Sequence, residues 1–185
     1  MGDAFRRFFL GLGVALGLAS GQPDPGIFAS VSAADGAYVL YVRVENAFAP
    51  GARELVDAGT RVALRYSARL ECPDGRSLEA SETRALWYDM RSGFYDASFG
   101  GGKKSELVDP QAARTLVSEL SGLKICRADE APEGGRAVIK AEIGIVDGRG
   151  EWHDAPVLWN YVSPRAVVAV GAAEPARATD PEGNR

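Results

Sequence analysis

Histidine and cysteine are scarce in this chain, which has one His and two Cys among 185 residues. A structural zinc site takes four Cys or His ligands, so most zinc sites are excluded. The acidic residues do not follow the spacing of a calcium-binding loop, and no Gly-x-Ser-x-Gly motif marks a hydrolase nucleophile. The sequence therefore predicts no metal, no cofactor and no catalytic residues.

An excess of positive charge is also missing. The formal net charge is -4, with 21 basic and 25 acidic residues in a mixed pattern. Nucleic-acid-binding proteins present a basic surface, so we expect no nucleic-acid partner. The length is sufficient for one domain with a core of its own.

The N-terminal segment is typical of a secretory signal peptide. Arg6 and Arg7 precede the apolar run Phe8–Ala19, which ends in small residues. This run is shorter than the roughly 20 residues that a membrane span needs. We expect a periplasmic or otherwise exported protein. The alternative is an uncleaved anchor over residues 8–19, which would be the only means of membrane association.

Composition also predicts the domain boundaries. Residues 1–20 are the expected signal peptide, residues 21–26 a linker, and residues 27–170 a single globular domain. Residues 171–185 contain no large hydrophobic side chain, so we predict a disordered tail there.

A β-hairpin is the clearest local prediction. Apolar and charged residues alternate along Thr60–Met90 on both sides of a Pro-Asp-Gly turn at residues 73–75. A three-residue loop sets the register, with Leu70 opposite Leu78, Ala68 opposite Ala80, and Arg69 opposite Glu79.

The remaining patterns predict more strands and one clear helix. Alternation or β-branched residues indicate strands over Ile27–Ala33, Ala37–Glu45, Phe94–Phe99, Leu123–Cys126 and Ala137–Val146. Asp109 and Pro110 begin a helix over residues 109–121, and a shorter helix is expected over Ala52–Asp57. We therefore predict a mainly β (α+β) fold, an antiparallel β-sandwich-like domain with one or two packed helices. A single sheet covered by the 109–121 helix is the alternative.

The two cysteines are a candidate disulfide. In an oxidising compartment, two Cys in one small domain favour a bond between Cys72 and Cys126. The alternative is that both are small buried hydrophobic residues.

Aromatic residues are the candidates for a binding surface. Trp87, Tyr88, Phe94 and Tyr95 lie within ten residues, and Trp159 follows later. Core packing explains such residues in most proteins, whereas an apolar groove for a lipid, a peptide or a partner strand is the functional interpretation.

The second hairpin strand places charged residues on the face that should be buried. In the predicted register, Glu82 and Arg84 share a face with core residues, so we expect a β-bulge near them. The two faces would exchange beyond the bulge. This predicts that Trp87 is buried and that Tyr88 lies near a sheet edge or cleft with an available hydroxyl.

Several segments resemble a known family. They are Glu54–Gly59 before a strand, Leu86–Tyr95 with its Leu-x-Tyr…Tyr pattern, the helix after Asp109, and Trp159–Ser163 with a Trp-x3-Ser pattern. Their order over residues 27 to 165 is similar to a bacterial family of exported proteins catalogued only as a domain of unknown function. Ala155–Leu158 loosely matches the family's Leu-Pro-rich approach to the Trp, and residues 163–165 lack the family's second Trp. The resemblance implies export and a fold, and it implies no activity.

The expected function is a non-catalytic envelope module that binds a protein or lipid partner. The alternatives are a hydrolase-type enzyme that uses carboxylates or His153, and a structural accessory of a membrane complex. A lone His in a loop is usually solvated, which favours the binding module over the enzyme.

The export hypothesis predicts the mature N-terminus. N-terminal sequencing of the protein purified from its native host should find cleavage near Ser20, because the small residues of a cleavage site lie there. Recovery of intact Met1 in a membrane fraction would contradict cleavage and support the anchor.

Overall fold

The computed structural model describes residues 23–130, 135–170 and 176–177. These residues form two antiparallel β-sheets that pack face to face, with two short helices. The predicted β-sandwich is therefore confirmed, and the alternative of one helix-covered sheet is wrong. The predicted signal peptide lies outside the described residues. No helix in the described ranges is both long enough and apolar enough to cross a membrane.

The small sheet has the strand order β11-β1-β2-β7, and the large sheet has the order β10-β8-β3-β4-β5-β6, with β9 paired to β8. The elements are β1 (Gly26–Ala34), β2 (Ala37–Glu45), α1 (Pro50–Asp57), β3 (Val62–Glu71), β4 (Ser77–Asp89), β5 (Phe94–Ser98), β6 (Lys104–Leu107), α2 (Pro110–Ser118), β7 (Glu119–Arg127), β8 (Arg136–Val146), β9 (Trp152–Asp154), β10 (Arg165–Ala169) and β11 (Ala176–Arg177).

The β3–β4 hairpin has the predicted register. Leu70 pairs with Leu78, Ala68 with Ala80, and Arg69 with Glu79. The carboxylate of Glu79 lies 3.2 Å from Nε of Arg69 on the outer face, which is the face turned away from the other sheet. Gly75 has a φ of +86°, a left-handed conformation that glycine adopts without strain. Alternation and turn chemistry were sufficient to set this register.

The core lies between the two sheets. Alternate residues of β3 and β8 contribute one side of it, and β1 and β2 contribute the other. The fully buried side chains with the largest volumes are Trp159, Tyr66, Ile27, Leu40, Leu64, Leu70, Leu86, Leu120, Ile139, Leu158, Val31 and Val56. The predicted apolar face of β8 is therefore a core face.

The prediction of a β-bulge in β4 is wrong. The pairing of β3 with β4 continues without interruption from Ser77 to Leu86. Arg84 remains on the core side, where its Nε donates to Glu82 Oε1 at 2.7 Å. Its Nη1 donates to the carbonyls of Leu116, at 3.1 Å, and Glu119. Charged residues fit on the inner face because the end of α2 provides acceptors there.

Tyr66 provides a second contact to the same helix end. Its hydroxyl donates to the carbonyl of Val117 at 2.7 Å, and the side chain is fully buried. Burial raises the pKa of Tyr66, so the phenol stays protonated and remains a donor. The last four carbonyls of a helix lack partners within the helix, and Tyr66 and Arg84 supply partners to this one.

Helix α2 is shorter than expected, and β7 follows it directly. Asp109 caps its first turn as predicted, accepting from the backbone N–H of Gln111 at 2.9 Å. The helix ends at Ser118, however, because Glu119 is extended with φ -112° and ψ 109°. Leu120 then faces the core from β7 instead of from the helix.

Strand β7 contains two irregularities. Its register against β2 shifts between Tyr38 and Val39 and again between Leu40 and Tyr41. Ile125 and Gly122 are the unpaired extra residues, and Gly122 has a φ of +85°. These are β-bulges on the edge strand of the small sheet.

Four short strands were not predicted from the sequence. They are β6, β9, β10 and β11. Strand β11 falls within the predicted tail and pairs with Phe28 and Ala29 of β1. Short strands carry little periodicity, so alternation over a few residues could not reveal them.

The predicted disulfide is not formed. Cys72 and Cys126 are free thiols, the first buried and the second half buried. Cys72 follows the end of β3, at the start of the hairpin turn, and Cys126 lies on β7. Burial raises the pKa of Cys126, with Glu130 and Cys72 adding to the effect.

Replacing Arg84 tests the importance of the helix contact. Arg84→Ala leaves buried carbonyls and the Glu82 carboxylate without a partner, so we expect a loss of about 3–5 kcal/mol in the free energy of unfolding. Arg69→Ala, which breaks an exposed pair on the same sheet, should cost less than about 1 kcal/mol. Urea unfolding measures both variants. Equal losses would show that Arg84 does not secure α2.

Candidate functional site

Trp87 is buried, as predicted, but on a different face from the main core. Its side chain is 8% exposed and packs with Ala63 and Ala85 on the outer face of the large sheet. The guanidinium of Arg61 lies 4.5 Å from the ring centroid. Lys104 Nζ lies 6.0 Å from it on another strand. Trp87 thus belongs to a small outer cluster and presents little surface to a ligand.

Trp152 completes this outer cluster, although the sequence did not identify it as a site residue. Its ring lies flat on β8 over Gly144, where an added Cβ would be 2.5 Å from a ring carbon. The indole N–H donates to Asp154 at 2.6 Å, and Arg65 stacks 4.0 Å from the ring centroid. Each interaction holds the ring in place, so the cluster is explained by packing.

The other four aromatic candidates lie in three different parts of the structure. Tyr88 and Tyr95 pair across β4 and β5 with ring centroids 5.1 Å apart. The Tyr95 hydroxyl donates to Asp57 at the end of α1 at 2.9 Å. Phe94 is half buried and lies on the same outer face as Trp87 by the two-residue period. Trp159 is 2% exposed and donates to the carbonyl of Ala47 at 2.8 Å. These five residues therefore do not share one groove.

His153 lies on β9 and contacts the turn before it. Its Nε2 is 3.3 Å from Oδ2 of Asp147. Asp147 Oδ1 also accepts the backbone N–H groups of Arg149, at 2.8 Å, and Glu151, at 2.9 Å. These hydrogen bonds, led by the one from Glu151, lower the pKa of Asp147. Asp147, Glu151 and His153 have ligand atoms within 4.8 Å of one another. The hydrogen bonds account for this arrangement as a stabilised turn.

A polar pocket of about 360 Å³ opens between the end of β2, the start of α1 and one side of α2. Three arginines line it, Arg43 from β2, Arg53 from α1 and Arg114 from α2. We call it the arginine pocket. The other lining residues are Val44, Glu45, Asn46, Ala47, Phe48, Gln111, Thr115, Ser118 and Glu119.

Each guanidinium of the pocket donates one hydrogen bond within the described residues. The Nε of Arg53 donates to the carbonyl of Phe48 at 2.7 Å. Arg114 donates to the side-chain carbonyl of Gln111 at 3.3 Å. Arg43 lies 3.1 Å from the Glu45 carboxylate. The guanidinium groups are thus partly ordered, and most of their N–H donors make no hydrogen bond within the part of the chain that the structure describes.

A shallow groove of about 320 Å³ adjoins the arginine pocket on the outer face of the small sheet. Tyr41 is its central aromatic residue and is 40% exposed. Ser30 and Ser121 are its partners on the two neighbouring strands, so the side chains directly opposite the ring are small, and Phe28 also lines the groove. We call this surface the Tyr41 groove. Arg43 and Glu119 line both the groove and the pocket.

Sequence reasoning missed the arginine pocket. Its three arginines are separated by ten residues or more along the chain, and no motif joins them. The only local signal was the exposed face of α2, where Gln111, Arg114 and Ser118 follow a helical period. That signal could not show which residues of other elements would lie opposite this face of the helix.

Comparison with known proteins identifies no family for this chain. The chain matches no protein-family model, no curated protein and no solved structure. The resemblance drawn over residues 27 to 165 stays a prediction.

The close approach of Trp152 to Gly144 predicts a specific effect on the outer cluster. Gly144→Ala should displace the indole ring, at a cost of about 1–3 kcal/mol in unfolding free energy, as for overpacked sites. Tryptophan emission should shift to longer wavelength. Gly148→Ala is the matched control, because nothing lies within 4 Å of its added Cβ. Indistinguishable melting and emission of the two variants would contradict the packing of Trp152 on β8.

Proposed function

We propose that this protein is an exported, non-catalytic binding module that recognises an anionic group of its partner at the arginine pocket. One observation carries the proposal. Arg53 and Arg114 line the same pocket, and each uses a single guanidinium N–H within the described residues. A guanidinium has five N–H donors in a planar fork that matches a carboxylate or phosphate.

The charge of the pocket supports the same ligand chemistry. Three guanidinium groups face two carboxylates, and Glu45 is already paired with Arg43. A local positive excess in a protein of net charge -4 attracts an anion to this end of the sandwich.

The lining of the pocket favours binding over catalysis. It contains no His, Cys or Tyr side chain, so it offers no group whose ordinary pKa suits proton transfer near neutral pH. The hydrolase alternative rests on His153 and carboxylates. The carboxylate of Asp147, which lies beside His153, already accepts backbone hydrogen bonds of its own turn, which makes this pair less suited to a catalytic role.

Several sources of the anionic group agree with the expected export. An acidic side chain of an envelope protein or an acidic sugar supplies a carboxylate, and a lipid headgroup supplies a phosphate. A structural accessory of a membrane complex would use the same contacts.

Titration of the full chain with citrate, a small tricarboxylate, tests the proposal. Backbone amide shifts measured by NMR should map to the arginine pocket. The double variant Arg53→Ala, Arg114→Ala should bind at least about tenfold more weakly, because charge-assisted hydrogen bonds to the anion are lost. Added salt should also weaken the binding.

The matched control removes the same charge elsewhere. Arg91 and Arg149 are exposed, and the hydrogen bonds that they donate within the described residues come only from their backbone N–H groups. The double variant Arg91→Ala, Arg149→Ala should bind citrate as the wild type does. Equal weakening in both double variants would mean that net charge alone drives the effect and would contradict a site at the pocket.

A further inference from the structure

The Tyr41 groove and the arginine pocket form one continuous surface, because Arg43 and Glu119 line both. Tyr41, Arg43 and Glu45 lie on the same face of β2 at two-residue spacing, which places the first and last about 14 Å apart. A single small anion does not cover such a length. We infer, on the basis of the proposed function, that this surface binds an acidic oligosaccharide, a chain of sugar rings that carry carboxylates.

An extended peptide fits this surface less well. Strand β2 lies between β1 and β7, so its backbone is paired on both sides. Peptides that bind sheets by strand addition need a free edge with open N–H and C=O groups. A peptide on this face would leave its own backbone groups without backbone partners.

A lipid also fits less well. An acyl chain needs a continuous apolar groove, whereas the apolar lining here is confined to the Tyr41 groove and gives way to guanidinium, carboxylate and amide groups in the arginine pocket. The polar groups beside the arginines are Ser30, Asn46, Gln111, Ser118 and Ser121. Hydroxyls and amides both donate and accept hydrogen bonds, which matches the many hydroxyls of a saccharide.

Tyr41 would receive the apolar face of one sugar ring. Its ring is 40% exposed, and the serines on either side leave room above it. Aromatic side chains provide a large rigid contact surface together with a polar hydroxyl. Arg43 stacks on Phe28, with its guanidinium 5.1 Å from the ring centroid, and so lies between Tyr41 and the pocket. The carboxylates of following rings would then meet Arg53 and Arg114.

Calorimetric titration of the full chain with galacturonate oligomers tests the inference. Affinity should rise at least about tenfold from the monomer to the tetramer, because linked groups bind together. The fully methyl-esterified tetramer, which is neutral, should bind at least about tenfold more weakly than the acid.

Variants of Tyr41 separate the groove from the pocket. Tyr41→Ala should weaken tetramer binding at least about fivefold and leave citrate binding unchanged, because citrate contacts only the pocket. Tyr41→Phe keeps the ring face and should bind the tetramer nearly as the wild type does. Unchanged melting temperatures would confirm that both variants are folded.

Three results would overturn the oligosaccharide assignment. They are a tetramer no tighter than the monomer, a tetramer unaffected by Tyr41→Ala, or tighter Tyr41-dependent binding of a glutamate-rich peptide or of phosphatidylglycerol vesicles. Citrate binding that depends on Arg53 and Arg114 would still support the anion site in each case. Loss of that dependence would instead remove the proposed function itself.

Discussion

The contact between the end of α2 and the large sheet is the constraint on which the rest of the structure depends. A helix that ends inside a protein leaves carbonyls that must find donors. Arg84 and Tyr66 provide them from two neighbouring strands. Both donors come from the inner face of the large sheet. The helix therefore ends beside that face, and the chain turns directly into β7.

This constraint also produces the candidate site. With its last turn held by the sheet, α2 directs Arg114 and Gln111 toward the gap at the end of β2, where Arg53 of α1 closes the opposite side. The pocket therefore exists because two helices and one strand meet, and none of these elements carries it alone. Its ligand donors are available because each arginine is oriented by a single acceptor.

The sequence predicted local structure better than it predicted the site. The register of Leu70 with Leu78 follows from a period of two and a turn of known geometry, so the hairpin could be derived. Arg84 could not be placed, because its carbonyl acceptors, at the end of α2 and the start of β7, lie more than thirty residues away. The aromatic candidates failed to converge for the same reason. Trp159 fills the core and Trp87 faces outward, and only the tertiary arrangement decides which side chains meet.

The two bulges in β7 have a consequence for the behaviour of the protein in concentrated solution. An edge strand with a regular row of open backbone groups recruits strands from other molecules and begins fibril growth. The extra residues Gly122 and Ile125 break that row at two points, so another chain cannot continue the ladder in register. In the large sheet, one edge strand is β6, which has only four residues, among them Lys104 and Glu106. Strands β7 and β6 are thus poor templates for pairing with a strand of another molecule, which protects these two edges against aggregation.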